Sequence, residues 1–186
     1  MADSFATTDE LSAYSKGAIS ADDERSQTIL DGATKAIRNF CGWNIAPATD
    51  VSVTLDGGGS VLYLPSLQVN SIGSIKVSGA TVDPATYQWS RQTGNVRLTS
   101  APSWPDIWGG IDVDFNSGFT EVPADLKQIV LQVSAMALSS PTGATREQAG
   151  AVAMAWATTA PGVSGGLTLL DRDRATLAAY KLTAEA

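Results

Sequence analysis

At 186 residues, with 44% hydrophobic and 17% charged side chains, the chain has apolar material for one domain plus an extension. Its net charge of −7 argues against a protein whose main task is gripping nucleic-acid phosphates, which takes clustered Lys and Arg. With no histidine and one cysteine, an intrachain disulfide framework, Cys/His zinc sites and histidine acid–base chemistry are excluded.

The first residues, MADSFATTDELSAYSKG, are acidic and lack the apolar core of a secretory signal. No stretch approaches the roughly 18 apolar residues of a membrane span. The expectation is a soluble protein made in a reducing cytoplasm, without membrane contact. Thr7 and Glu10 have capping-box spacing and Gly17 is a stop, which predicts a helix over 9–16. Ser20 followed by Asp22, Asp23 and Glu24 predicts a second helix over 21–41, its stripe formed by Ile29, Leu30, Ala33, Ile37, Phe40 and Cys41.

From residue 50 to 119 the period changes to two. Val51, Val53 and Leu55, the DGGG at 56–59 and Val61–Leu64 read as a hairpin. Further strands are predicted at Ile72–Val77, Tyr87–Ser90, Asn95–Leu98 and Ile111–Phe115, a small antiparallel sandwich or barrel. Val122-Pro123 opens a third helix over 123–139, with an apolar stripe of Leu126, Ile129, Val130, Val133, Met136 and Ala137. The fold class is therefore α+β: a helical bundle interrupted by a β insertion, together forming a body over 1–140.

Residues 141–186 make an extended C-terminal arm. They hold 12 Ala and 5 Gly, too little apolar bulk to offset a chain entropy of roughly 1–2 kcal/mol per residue without a surface to pack on. Val152, Met154 and Trp156 alternate as in a strand, and Asp171 is placed to cap a short last helix bearing Leu177 and Tyr180. The arm is charge-balanced: 123–186 carry 5 acidic and 5 basic residues, against 8 and 4 in 1–50 and 6 and 3 in 51–122.

Candidate chemistry is sparse. DGGG lacks the Gly-Lys-Ser/Thr ending of a phosphate loop and reads as a turn. Asp112 and Asp114 project to one face of a strand, where solvated carboxylates are the ordinary explanation; a hydrolase built on them lacks partner groups. Trp89, Trp104 and Trp108 could form a glycan-binding platform, or one could plug the β domain while another meets a neighbouring subunit. Cys41 lies on an apolar stripe as a small hydrophobe. No catalytic residue, cofactor or metal site is identified.

The order of several short motifs resembles the head–tail connector (adaptor) proteins of long-tailed bacteriophages. They are Asn39-Phe-Cys-Gly-Trp43-Asn-Ile45, Leu55-Asp-Gly57, Leu64-Pro65-Ser66, Gly94 to Leu98, Trp104-Pro105, Gly118-Phe119 to Val122-Pro123, Arg146-Glu147 to Gly150, and Leu169-Leu-Asp-Arg-Asp-Arg to Leu177 and Tyr180. The small Ala residues within 150–157 depart from the family pattern. The resemblance implies a non-enzymatic virion protein of the neck, between capsid and tail. It implies a homo-oligomeric ring of about twelve copies joining the portal protein to a stopper or tail terminator protein. DNA would pass through its lumen without sequence-specific binding; a stopper or tail-completion role is the nearest alternative. Trp156, Leu167, Leu169, Leu170 and Tyr180 are the expected docking contacts of the arm, since large side chains dominate interface energetics.

Overall fold

The computed structural model describes residues 4–139 and 167–182 with their side chains, and strands within 146–164 by their backbone. The chain divides into two units, one of residues 1–41 and 123–179, the other of residues 42–122 and 180–186.

The first unit is helical. Its helix α1, Thr8–Tyr14, opens on the expected capping box. The Glu10 N–H donates to Thr7 Oγ1 at 3.2 Å and the Thr7 N–H to Glu10 Oε2 at 2.9 Å. Helix α2 spans Glu24–Cys41, a later start than the sequence predicts. The reason is Asp23, whose carboxylate accepts the Arg25 N–H at 2.9 Å and pairs with its guanidinium at 2.9 Å. Ser20 to Asp23 form a separate turn instead. Helix α3, Ala124–Ser139, begins just after Pro123, whose carbonyl accepts the Lys127 N–H at 3.0 Å.

Helix α4, Asp171–Leu177, is not capped by Asp171 as the sequence predicts. The N-cap is Leu170, and the Asp173 carboxylate closes the turn by accepting the Leu170 N–H at 3.0 Å. Helices α2 and α3 pack on one another, and α1 and α4 pack against both. Leu11, Leu30, Ala33, Ile37, Leu126, Val130 and Leu177 are fully buried. Cys41 is also buried, its Sγ 3.9 Å from the Leu177 carbonyl, in the small-hydrophobe role expected of it.

The second unit contains two antiparallel sheets. Strands β1 (Thr49–Leu55), β3 (Val69–Val77), β4 (Ala80–Thr81) and β7 (Ile111–Ser117) form one, in the order β1-β7-β3-β4. Strands β2 (Leu62–Tyr63), β5 (Tyr87–Trp89) and β6 (Asn95–Leu98) form the other, in the order β2-β6-β5. Their inner faces share a core of Leu62, Leu64, Val69, Ile75, Tyr87, Val96, Trp104, Ile111, Val113 and Phe115. No closed barrel forms among the described residues. The expected β1–β2 hairpin is also absent: β1 pairs with β7, β2 with β6, and DGGG carries the chain from one sheet to the other.

Beyond α3, β8 (Arg146–Ala149) pairs antiparallel with β9 (Val152–Ala155), and β10 (Thr158–Ala160) with β11 (Val163–Ser164). The alternation after Gly150 thus does mark a strand, paired with its own chain.

Candidate interaction surfaces

Strand β7 lies at the centre of its sheet, so its side chains alternate strictly. Ile111, Val113 and Phe115 point into the core, and Asp112, Asp114 and Asn116 point out. Every outward group is tied to a neighbouring strand. Thr54 Oγ1 donates to Asp112 at 2.7 Å and Ser52 Oγ to Asp114 at 2.6 Å. Ser74 Oγ donates to the other Asp114 oxygen at 2.8 Å. Asn116 Nδ2 donates to Asp50 at 2.7 Å, and Asn70 Nδ2 to Asn116 at 3.0 Å.

The two hydroxyls hold the Asp114 carboxyl below its ordinary pKa by stabilising the ionised form, with a smaller contribution from Lys76. The result is a rigid acidic face with a cleft of about 340 Å³ beside Asp50, Ser52 and Asp114. No three metal-ligating side chains converge among the described residues. The donors around Asp114 are hydroxyls that have already committed their protons to it, so this face offers fixed negative charge rather than acid–base chemistry.

A second surface is built from the loop at 104–110. Trp104 is 2% exposed, with its Nε1 donating to the Val96 carbonyl at 3.2 Å. Trp108 is 85% exposed, and Trp89 is half-buried. Trp104 is therefore the plug of the β core, and a platform of all three tryptophans does not form. The loop is held by DGGG, which therefore does more than the turn its sequence predicts. The Gly57 N–H donates to the Ile107 carbonyl at 2.9 Å, and the Gly109 N–H to Asp56 at 2.6 Å. A Cβ on Gly57 would overlap the Pro105 carbonyl, and one on Gly58, at φ +98°, would lie 2.9 Å from Asp106 Oδ1. Glycines are thus needed here for close approach.

Of the residues expected to dock, Leu167, Leu169 and Leu170 belong to the helical unit. Leu167 is exposed, and Leu169 and Leu170 are half-buried on the approach to α4. Leu167 Cδ1 lies where a Cβ on Gly32 would be 2.7 Å away, so Gly32 is the site on α2 that admits it. A glycine inside an otherwise regular helix was the signal available for this contact, since it costs about 1 kcal/mol against Ala. Tyr180 belongs to the β unit. Its carbonyl accepts Trp43 Nε1 at 2.7 Å, and its ring meets Phe119 edge-on at 6.3 Å. Phe119 in turn lies 6.3 Å from Trp43, completing an aromatic cluster that sequence spacing does not reveal. Trp156 lies outside the described residues.

Residues 4–134 match the family model for head completion proteins. A solved chain from the neck of an empty GTA particle, computed with C6 symmetry, aligns at a TM-score of 0.55 and 18% identity, covering 79% of this chain and 81% of that one. A chain from the neck of a native GTA particle, computed with C12 symmetry, aligns at a TM-score of 0.49 and 20% identity, covering 71% and 76%. The first likeness is one of fold. No curated protein sequence matches.

Proposed function

The chain belongs to the head completion protein family, and from that premise we propose that it works as a ring-forming adaptor in the neck of a phage-like particle. Copies stand between the portal of the filled capsid and a stopper or tail terminator, at a position reached after synthesis in the host cytoplasm. The protein acts by forming interfaces rather than by catalysis.

The observation that carries this reading is the extent of the family match. It spans α1, α2, the first two-thirds of α3 and the whole insertion from β1 to β7, the framework that carries the β7 face and the 104–110 loop. The acidic face of β7 supports the second half of the proposal, a lumen that DNA passes without sticking, because fixed negative charge repels phosphates. The segment after α3 supplies the contact with the portal, with Trp156, Leu167, Leu169, Leu170 and Tyr180 its first-choice side chains. An interface of roughly 1,200–2,000 Å² is within reach of a segment of this length.

Leu177 is fully buried in the helical unit, so the informative truncation keeps α4. Residues 143–164 are replaced by a short Gly/Ser linker, and the variant is supplied to particles lacking the wild-type chain. The expected result is a folded protein that no longer joins portal-bearing heads to tails. Normal joining would remove the portal-docking role from residues 143–164, Trp156 included, and leave it to Leu167, Leu169, Leu170 and Tyr180. Particles that need no copy of the chain at all would remove the adaptor reading itself.

A further inference from the structure

We propose that Trp108 of one copy seats in the cleft beside Trp89 of a second copy, a knob-and-socket contact that rests on the ring reading above. Trp108 has the highest exposure of the large hydrophobic side chains among the described residues. Its loop is pinned along its length. Besides the Gly57 and Gly109 bonds, the Trp104 N–H donates to the Gly59 carbonyl at 2.9 Å and the Ser78 N–H to the Gly110 carbonyl at 2.8 Å. An indole held out on a fixed backbone loses little freedom on docking, and Trp is among the side chains that carry most interface energy.

The socket is a cleft of about 270 Å³ over β5 and β6, lined by Val61, Trp89 and Val96, with Gln88 and Arg97 beside them. Its apolar lining suits an indole, and Trp89 and Arg97 add aromatic and cation–π attraction.

Charge names the occupant. Residues 42–122 hold three cations, Lys76, Arg91 and Arg97, and two of them, Arg91 and Arg97, are exposed on the β5–β6 ribbon that forms the cleft. The knob carries the opposite sign, with exposed Asp106 in its loop and exposed Asp56 at its base. An acidic aromatic knob and a basic aromatic socket on the same chain are complementary across two copies. Because knob and socket are different patches, the contact is heterologous, the kind that closes rings.

The test is sedimentation velocity of the full chain over a concentration series up to its solubility limit, with thermal melts to confirm folding. Trp108→Ala, Arg97→Asp and Asp106→Arg each lower the association constant about tenfold or more, the usual effect of losing an anchor. The double variant Asp106→Arg/Arg97→Asp recovers most of the loss, which a folding defect would not do. Wild-type association that all three single variants retain overturns this contact and leaves the ring reading standing. A wild-type chain that never associates overturns both. A Trp108→Ala chain that self-associates normally but no longer joins heads assigns the knob to another neck protein and overturns the second-copy proposal.

Discussion

Trp104 donates its indole N–H to the Val96 carbonyl inside the β core, while the Trp108 indole a single turn of loop away stands in solvent. Identical side chains therefore make very unequal contributions to stability. Trp104→Ala costs about 3–5 kcal/mol, the range for emptying a large aromatic site, whereas Trp108→Ala stays within about 0.5 kcal/mol. Urea unfolding of the two variants checks this, and equal losses would contradict the assigned burial. At the same scale, Glu10 and Lys127 tie α1 to α3 at 2.7 Å. The hydrogen bond from Lys127 is the main cause holding the Glu10 carboxyl below its ordinary value. A carboxyl with a lowered folded pKa contributes stability above its unfolded pKa and loses it as pH falls through the folded one. Glu10→Gln accordingly flattens the acid limb of the stability–pH curve, and with both partners more than a third exposed the loss at neutral pH is under about 1 kcal/mol. An acid limb unchanged by Glu10→Gln would assign it elsewhere, with Asp114 the next group to substitute because its carboxyl is shifted the same way.

Among the elements, legibility followed the range of the interactions. The capping box of α1 and the stripe of α2 are local patterns, and both appear where the residues place them. The period-two runs mark β1, β3, β6 and β7, but partner choice is non-local. DGGG signals a reversal without saying which strand receives the chain, and the required close approach of Pro105 and Asp106 is invisible in sequence spacing. The Trp43–Phe119–Tyr180 cluster is hidden for the same reason, since its members lie in three separated segments. Gly57→Ala forces the 104–110 loop off its support and destabilises the β unit by about 1–3 kcal/mol, the usual cost of overpacking. The check is urea unfolding followed by tryptophan fluorescence; a wild-type midpoint would show that DGGG is only a turn. Helix α4 makes the complementary case. Leu177 is fully buried with its carbonyl near Cys41, so Leu177→Ala costs about 2–5 kcal/mol, and calorimetry should show the loss in the full chain.

For the whole molecule, the question is where its excess of 19 acidic over 12 basic residues is put to use. Much acidic charge is scattered on exposed loops, where screening beyond roughly 8–10 Å leaves it little influence on a distant phosphate. The β7 face differs because Asp50, Asp112 and Asp114 are fixed by hydrogen bonds on adjacent strands, with Lys76 the cation paired in register with Asp112. Ordered like charge on a stiff sheet keeps its field when copies are arrayed around a channel. Reversing it should convert a surface that repels phosphates into one that holds them. Asp112→Lys/Asp114→Lys loses the hydroxyl bonds from Thr54, Ser52 and Ser74, so a melt must first show that the variant stays folded. Asp112→Asn/Asp114→Asn serves as the charge-neutral control, keeping acceptor oxygens at a cost of about 1 kcal/mol for each bond it fails to reproduce. The Lys variant should retain duplex DNA with an affinity that falls steeply with salt, because each neutralised phosphate releases counterions, while the wild-type chain retains none. In assembled particles the same variant should slow DNA exit relative to the Asn control. Unchanged exit kinetics with full incorporation of the Lys variant would place the β7 face away from the proposed channel and leave the adaptor reading to be explained without it.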